Sequence, residues 1–482
     1  MLVDGYSQNL AYYLSRLSNY SVTSIKLMPL GTTTVASNGV VQVVLPSTGI
    51  LALPSFSMRF NVSCTKSTAD AFVALPKNFE SLIQRVGVEC NGATIMNPIN
   101  NYNDLFNIHM NNGCGAYGHS MLRAVNNGDV PWVNAQNAGA GGARGCVATG
   151  NVVLNITADQ ASVPGCINHW LGFIGTAQPQ YLLADILGDL RVTLTMAGND
   201  VLVGAQGGAG GGVGVAAGTW GMTDVYFTID VCRIQDGVYN SMIEQRLASG
   251  VPIEIPFTGL YQFSNNVTTM SQSTKFSVSS QSLDRVICTA VATARPSGGL
   301  GLLGGRPAAG INNPADPKSE NSGYFTYINN GANFNQLLVN SEYYPAFQQE
   351  SPFDFSWSMK NMNQAVDTLS ASGITWNGRN DTTGTIQAAA ASAVVDNSGQ
   401  AQYLMGKWSY VVNFKHLGSG GDDRVCSGLN SYGSASNMFW NSTASAAYVA
   451  ADFRDKDALL LIFAETTSVL RCLAGKVLEI VA

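Results

Sequence analysis

The sequence FESLIQRVGVECNGATIMNPINNYNDLFNIHM, from Phe79 to Met110, contains the signals of a strand, a tight turn and a helix in succession. Its first part alternates apolar and polar side chains, which is the period of a strand with one buried face. The alternating apolar positions are Leu82, Val86, Val88 and Cys90. Asn91 and Gly92 both tolerate a positive φ angle, so the sequence predicts a two-residue hairpin turn at this point.

A short helix is predicted after the hairpin. Pro98 interrupts the extended pattern, and the apolar residues beyond it recur at helical spacing until the sequence Asn111-Asn112-Gly113. These apolar residues are Tyr102, Leu105, Phe106 and Met110. The segment is therefore predicted to fold as a hairpin followed by one helix.

The composition indicates an all-β protein with two domains. At 482 residues the chain exceeds what one hydrophobic core usually serves. Its 51 Gly and 16 Pro favour short strands joined by turns. Only 12% of the residues are charged, so much of the surface must be neutral or covered by other chains. The net charge of −6, without a basic cluster, argues against sequence-specific binding of nucleic acid.

The cysteines argue against a disulfide-stabilised protein, and the apolar runs argue against a membrane-spanning protein. Nine cysteines occur without a Cys-x-x-Cys pair, which favours free thiols in a reducing compartment. The longest apolar run, Ala458–Ala464, has the length of a strand and not of a membrane span. The N-terminal region carries no basic segment of the kind that opens a secretory signal, so we expect no secretion.

Similar strand patterns recur along the chain. They are found at 25–27, 40–45, 56–62, 152–156, 190–196, 224–231, 253–255, 337–339, 408–414, 458–464, 467–473 and 476–481, the last three separated by predicted turns at Glu465-Thr466 and Ala474-Gly475. Helices are predicted at 6–17 and within 357–370. Gly- and Asn-rich segments at 113–145, 204–218 and 298–320 are predicted to be long surface loops.

Three short phrases occur twice in the same order, which predicts a tandem duplication. They are Asp4-Gly5 with Asp236-Gly237, Phe60-Asn61-Val62-Ser63 with Phe276-Ser277-Val278-Ser279, and the 81–86 segment with 282–286. We therefore expect an N-terminal amphipathic arm at 1–19, a first domain at 20–235, and a linker helix with a second domain at 236–482. The Asn91-Gly92 hairpin should match the chain just after Arg285-Val286.

Patterns of catalytic or metal-binding residues were not found in the sequence. The four histidines show no metal-ligand spacing, and the chain has no Gly-x-Ser-x-Gly or Gly-Lys-Ser/Thr motif. Acidic groups at Asp422-Asp423 and at 452–457 lack the EF-hand pattern. The sequence thus predicts no catalytic residue, no cofactor site and no metal site, and it favours a structural protein over an enzyme.

The hairpin, Pro98 and the helix that opens with Tyr102-Asn103 resemble the first half of double jelly-roll major capsid proteins, as do the Lys275–Val278 and Cys426–Asn430 phrases in the second half. The likeness is greatest to those of virophages, polinton-like viruses and related icosahedral DNA viruses. It implies two tandem eight-stranded jelly rolls with short helices and long loops. It also implies a virion location and homotrimeric, pseudo-hexagonal capsomers that contact each other, penton proteins and minor or cement proteins.

Two other functions and the position of the N-terminal arm remain open at this stage. A trimeric phage fibre or adhesin would show shorter repeats than the duplication found here. A pair of β-sandwiches also occurs in amidases that cleave glycans from asparagine and in sugar-binding proteins. Such a protein should present tryptophans and acidic residues together at the domain junction, whereas the seven tryptophans here are dispersed. The N-terminal arm either packs under the body of the protein or lies against an internal membrane.

Overall fold

The computed structural model describes residues 20–66, 71–76, 78–113, 162–206, 218–234, 243, 245–267, 271–292, 324–325, 327, 332–350, 357–358, 361–362, 408–415, 428–433, 437–444, 458–473 and 477–481. Several predictions fall outside these residues. They concern the helix at 6–17, the strand at 152–156, most of the three Gly-rich segments, the Asp236-Gly237 phrase, the turn at Ala474-Gly475 and the acidic groups at 422–423 and 452–457.

The described part of the first half consists of strands and short helices. The strands are β1 (Tyr20–Leu27), β2 (Val35–Ala36), β3 (Val40–Val44), β4 (Ile50–Lys66), β5 (Ala71–Ala74), β6 (Ile83–Cys90), β7 (Ala93–Met96), β8 (Val163–Ile167), β9 (Tyr181–Leu183), β10 (Leu190–Met196), β11 (Val203–Gln206) and β12 (Gly218–Ile234). The α-helices are α1 (Tyr102–Gly113), α2 (Phe173–Thr176) and α3 (Ala184–Leu187), and 3₁₀ turns lie at Phe79–Leu82 and Asn199–Val201.

Both elements predicted from the opening segment are confirmed. Asn91 has φ 48° and Gly92 has φ 81°, and the turn joins β6 to β7 as an antiparallel pair. Two successive positive φ angles match the twist of the flanking strands. The α1 helix begins at the predicted Tyr102.

The strands of the first half form a two-sheet sandwich. One sheet has the order β1-β12-β4-β8, with β2 paired to β12 and β9 paired to β4, and the other has the order β3-β10-β6-β7. Without the marginal β2 and β9, each sheet contains four strands, giving eight. Numbered from one to eight along the chain, these strands are ordered 1-8-3-6 and 2-7-4-5, which is a jelly roll.

The second half repeats this arrangement. Its strands are β13 (Ile253–Val267), β14 (Ser271–Phe276), β15 (Leu283–Ala292), β16 (Ala332–Val339), β17 (Glu342–Glu350), β18 (Tyr410–Asn413), β19 (Met438–Ala444), β20 (Ala458–Leu473) and β21 (Val477–Val481). The sheets are β13-β20-β15-β18, extended by β21 beside β20, and β14-β19-β16-β17. Numbered in the same way, they again read 1-8-3-6 and 2-7-4-5, so the predicted pair of eight-stranded jelly rolls is confirmed.

The repeated phrases do not mark equivalent strands. The 81–86 segment leads into β6, the fourth strand of its jelly roll, whereas 282–286 leads into β15, the third. The strand equivalent to β6 is β16, and its hairpin partner β17 follows a turn at Asn340-Ser341 in which Asn340 has φ 56°. The predicted match of Asn91-Gly92 to the chain after Val286 was therefore wrong, because alternating strands of any rank give similar short phrases.

Two further local predictions were wrong. Glu465-Thr466 does not form a turn, because β20 continues through it and pairs with β13 along its whole length. Gly204–Gln206 belongs to β11, which pairs with β5, and Gly218 already opens β12. Helical residues at 357–358 and 361–362 agree with the helix predicted within 357–370.

The second half packs on the first through the outer face of its β13-β20-β15-β18 sheet. Along β20, Leu460, Ile462 and Ala464 lie in the core of the second sandwich. Leu461 and Phe463 point to the opposite face and join the core that contains the first sandwich. A strand that is buried on both faces needs apolar side chains at successive positions, which explains the run at 458–464.

The two sandwiches lie with equivalent ends together. We call the end with the 91–92 and 340–341 turns the turn end, and the opposite end, where the connections 97–162 and 293–331 leave the sheets, the loop end. At the turn end, Phe173 of α2 contacts Phe257, near the start of β13, with ring centroids 5.2 Å apart. At the loop end, α1 contacts Tyr327. In the described part of the chain, the helices are too short to cross a membrane.

Candidate functional site at the junction of the two halves

Helix α1 is held to the first half by a buried amide network. Asn103 Nδ2 donates to the Ser81 carbonyl (3.2 Å), and Asn107 Nδ2 donates to Ser81 Oγ (2.9 Å). Asn78 Nδ2 donates to Asn107 Oδ1 (3.2 Å), and Asn78 Oδ1 accepts from the Ser81 amide (3.0 Å). Because all four side chains are buried, these hydrogen bonds fix the helix relative to the 3₁₀ turn before β6.

The same helix reaches the second half through polar contacts. Tyr327 Oη donates to Asp104 Oδ1 (3.1 Å), and His109 Nε2 lies 2.5 Å from Glu465 Oε1. Gln262 Nε2 of β13 donates to Asn101 Oδ1 (3.3 Å), just before the helix begins. Helix α1 and the residue before it therefore carry hydrogen bonds between the two sandwiches from the loop end to Glu465, in the middle of β20.

Glu465 is a buried carboxylate with a basic side chain at each oxygen. Arg285 Nε lies 3.3 Å from Oε2, while His109 occupies Oε1, and the Glu465 side chain is only 5% exposed. Burial alone would raise the pKa of Glu465, but the charges of Arg285, His109 and Lys415 and the hydrogen bond from His109 together lower it to about 2. Glu465 is therefore ionised at neutral pH and binds both halves.

Asp284, the residue before Arg285, forms a second ion pair. The β15–β20 register shifts between Leu283 and Arg285, which leaves Asp284 as the extra residue of a bulge. Asp284 Oδ2 accepts from Lys415 Nζ (3.3 Å) and from Thr467 Oγ1 (2.6 Å). The bulge also requires Gly428, since a Cβ there would lie 2.1 Å from the Leu283 carbonyl oxygen.

A second contact between the halves lies near the turn end and uses the backbone. The Gln178 amide donates to the Pro256 carbonyl (2.9 Å), and the Thr258 amide donates to Thr176 Oγ1 (2.8 Å). Phe173 and Phe257 pack edge to face between them. The junction is thus fixed at two separated places, which restrains rotation of one sandwich against the other.

The polar side chains of this junction bind one another and hold the two halves together. Both oxygens of Glu465 are engaged by basic side chains, and the hydrogen bonds to Asp104 and Asp284 likewise come from neighbouring side chains. No grouping of three or more His, Cys, Asp or Glu suited to a metal ion occurs among the residues that the structure describes. His169 is half-buried, and His119 and His416 lie outside the described ranges.

Sequence reasoning assigned no residue to a site and missed Glu465. The available signal was an ionisable side chain inside an apolar strand pattern, which we interpreted as a turn. The partners could not be found in the same way, because His109 lies 356 residues away in sequence. Of the five described tryptophans, Trp170, Trp220, Trp408 and Trp440 are buried and Trp357 packs against the core of the second sandwich, so they form no sugar-binding platform at the junction.

Comparison with known proteins identifies the fold. No protein-family model and no curated protein matches the sequence. Among solved structures, VP54 of PBCV-1, fitted into a cryo-EM reconstruction of the virophage Sputnik, aligns with a TM-score of 0.56 and 14% identity, over 97% of this chain and 98% of that chain. The Faustovirus major capsid protein aligns with a TM-score of 0.52 and 9% identity, over 98% and 92%. The chain therefore has the double jelly-roll fold of these viral capsid proteins along almost its whole length.

Proposed function

We propose that this chain is the major capsid protein of an icosahedral virus and is located in the virion. The observation that supports this most strongly is the pair of jelly rolls with one strand order, packed side by side with equivalent ends together. Three such chains around one axis present six similar domains, which gives a hexagonal outline suited to tiling a shell. The functional unit is then a homotrimeric, pseudo-hexagonal capsomer.

The polarity of the sandwiches supports an orientation for this capsomer. Connections at the turn end include the two-residue turns 91–92 and 340–341, whereas those at the loop end include 97–162 and 351–409. We assign the loop end to the outer surface of the shell and the turn end to its interior. The N-terminal arm, residues 1–19, precedes β1, whose first residue lies at the turn end, and we propose that the arm either packs under the body of the protein or lies against an internal membrane.

The proposed domain limits are 20–235 for the first jelly roll and 236–482 for the linker helix and second jelly roll. The partners are neighbouring capsomers, penton proteins and minor or cement proteins, and no sequence-specific contact with nucleic acid is proposed. Low charge suits flat lateral contacts, since unpaired ions between neighbours would have to be desolvated.

The rival function, a glycan-acting amidase or sugar-binding protein, is less well supported. Its site would need free carboxylates and exposed aromatic rings at the junction, where Glu465 is held by Arg285 and His109. We propose that the chain is not an enzyme and needs no cofactor. Assays on esters, glycosides and nucleotides should show no turnover, and metal analysis should find no stoichiometric zinc; turnover or a bound equivalent of zinc would contradict this.

The proposal is tested by the mass of the purified protein in solution. Three chains of 50.9 kDa give about 153 kDa, which light scattering on a sizing column separates clearly from a monomer. Because obligate interfaces commonly exceed about 2,000 Å², the trimer should survive dilution to nanomolar concentration. Negative-stain images should show hexagonal outlines. A folded protein that remains monomeric at micromolar concentration would overturn the capsomer.

A further inference from the structure

One edge of the first jelly roll is covered by the second within the same chain. In β7, the fifth strand of the first jelly roll, Ile95 is 5% exposed and Met96 is 2% exposed. Met96 meets the second half beside Gly172, where an added Cβ would lie 2.4 Å from Met96 Sδ and 3.4 Å from Leu260 Cδ1 of β13. The fifth-strand edge of one sandwich thus lies close to the outer face of the other sandwich's 1-8-3-6 sheet.

The equivalent edge of the second jelly roll is not covered by another sandwich in the described chain, although Phe347 packs edge to face with Trp357, with ring centroids 6.0 Å apart. Its fifth strand, β17, exposes Tyr343 by 46% and Phe347 by 57%, and Glu342 is also exposed. Large aromatic side chains on a sheet edge are unfavourable in water, and native proteins usually cover such edges. This edge therefore has the composition of a contact surface.

The equivalent outer face of the first jelly roll is also uncovered. It carries two cations beside an aromatic ring: Lys26 Nζ of β1 lies 4.2 Å from the ring centroid of Tyr226, and Arg59 of β4 pairs with Tyr226 in the ladder. Both Lys26 and Arg59 are exposed, and neither forms an ion pair with any residue that the structure describes.

We propose that the β17 edge of one copy binds this outer face of the next copy. This inference rests on the proposed trimer. Glu342, whose Oε2 also accepts from Tyr344 Oη (2.9 Å), is opposite in charge to Lys26 and Arg59. The rings of Tyr343 and Phe347 suit the apolar surface of Tyr226. The contact would repeat between chains the packing that joins the two sandwiches within one chain. The occupant of each face is accordingly a second copy of this chain.

The contact joins two different surfaces, so it adds copies head to tail. Such a contact closes a ring when its rotation divides a full turn. Three chains close when the rotation within a chain and the rotation between chains add up to one-third of a turn. With that rotation the surface gives a closed trimer, whereas a rotation that does not divide a full turn would give an open filament.

Charge reversal with a matched control tests the contact. In K26E/R59E, the two cations become acidic and should repel Glu342, so the mass on a sizing column should fall from about three chains to one. The control is K275E. Lys275 is also exposed, and its Nζ lies 5.8 Å from the ring centroid of Phe439. It belongs to β14, at the opposite edge of its sheet from β17. K275E should remain trimeric, and adding E342K to K26E/R59E should restore trimers.

Lysine acetylation of the wild-type protein provides a test that does not depend on the folding of a variant. In the intact trimer Lys26 should react much more slowly than Lys275, and after dissociation the two should react alike. Rapid acetylation of Lys26 in the trimer would overturn the inference.

The outcomes separate this inference from the capsomer itself. Trimeric wild type with monomeric K26E/R59E supports both. Trimeric wild type with trimeric K26E/R59E overturns the assigned surface and leaves the capsomer standing, and dissociation of K275E as well overturns the surface by showing a non-specific effect of charge. A monomeric wild type overturns the capsomer and the surface together.

Discussion

The outer face of the second jelly roll's five-stranded sheet is apolar and covered, whereas the same face of the first jelly roll is polar and open. Leu461 and Phe463 of β20 are fully buried against the first half. The corresponding strand β12 presents Tyr226, Thr228 and Asp230, and Thr228 shares a hydrogen bond with Ser57 (2.7 Å). One strand order thus supports two surface chemistries, and the neighbour that each face meets decides which is present.

The largest expected effect comes from placing a charge on the covered face. Phe463→Lys should destabilise the fold by more than about 4 kcal/mol, because the ammonium group would be buried without a partner. The matched change on the open face, Thr223→Lys, should alter the free energy of unfolding by less than about 0.5 kcal/mol. Soluble yield and thermal unfolding measure both. Equal melting temperatures for the two variants would contradict the difference between the faces.

A smaller loss of stability is expected when the charge of Glu465, which lies on the covered face, is removed. Glu465→Gln leaves Arg285 and His109 without their carboxylate and should cost about 3 kcal/mol. The exposed pair of Glu254 and Arg471, 2.9 Å apart, gives the comparison, and Glu254→Gln should cost less than about 1 kcal/mol. Denaturant unfolding at neutral pH tests both variants. Similar losses would show that Glu465 does not lock the junction.

The Glu465 lock should also weaken in acid. Its pKa is lowered in the folded protein from 4.5 to about 2, so its stabilisation is complete above the ordinary value and is lost as pH falls from about 4.5 through 2. The stabilisation contributed by the ionised Glu465 carboxylate is on the order of 3 kcal/mol at neutral pH. The difference in melting temperature between wild type and Glu465→Gln should therefore narrow across this range. A constant difference down to pH 2 would contradict the assignment.

The smallest effect concerns the equivalent hairpins. Asn91 and Asn340 both have positive φ, but Asn91 Nδ2 also donates to the Leu187 carbonyl (2.7 Å) and its Oδ1 accepts from the Asp189 amide (3.1 Å). Glycine keeps the backbone conformation and removes the side chain. Asn91→Gly should cost about 1–2 kcal/mol, and Asn340→Gly about 0–0.5 kcal/mol. Equal melting temperatures would show that the side-chain bonds of Asn91 contribute nothing net.

The sequence by itself determined the features that have a local cause. The Asn91-Gly92 turn follows from the positive φ that these residues tolerate, and the alternation at 190–196 follows from one buried and one open face, as the burial of Leu190 and exposure of Arg191 confirm. The abundance of turns, and the resemblance carried by the hairpin and helix, indicated the two jelly rolls.

Only the tertiary structure decided which parts of the two jelly rolls correspond and what joins them. Phrases such as 81–86 and 282–286 report that a strand alternates, but not its rank, which depends on pairing between distant segments. Burial on both faces removes the alternation from β20, so the polar Glu465-Thr466 looked like a turn. The chain brings Glu465 to Arg285 and His109 only when the sandwiches pack, because the desolvation of a buried carboxylate is offset by partners that no local pattern specifies.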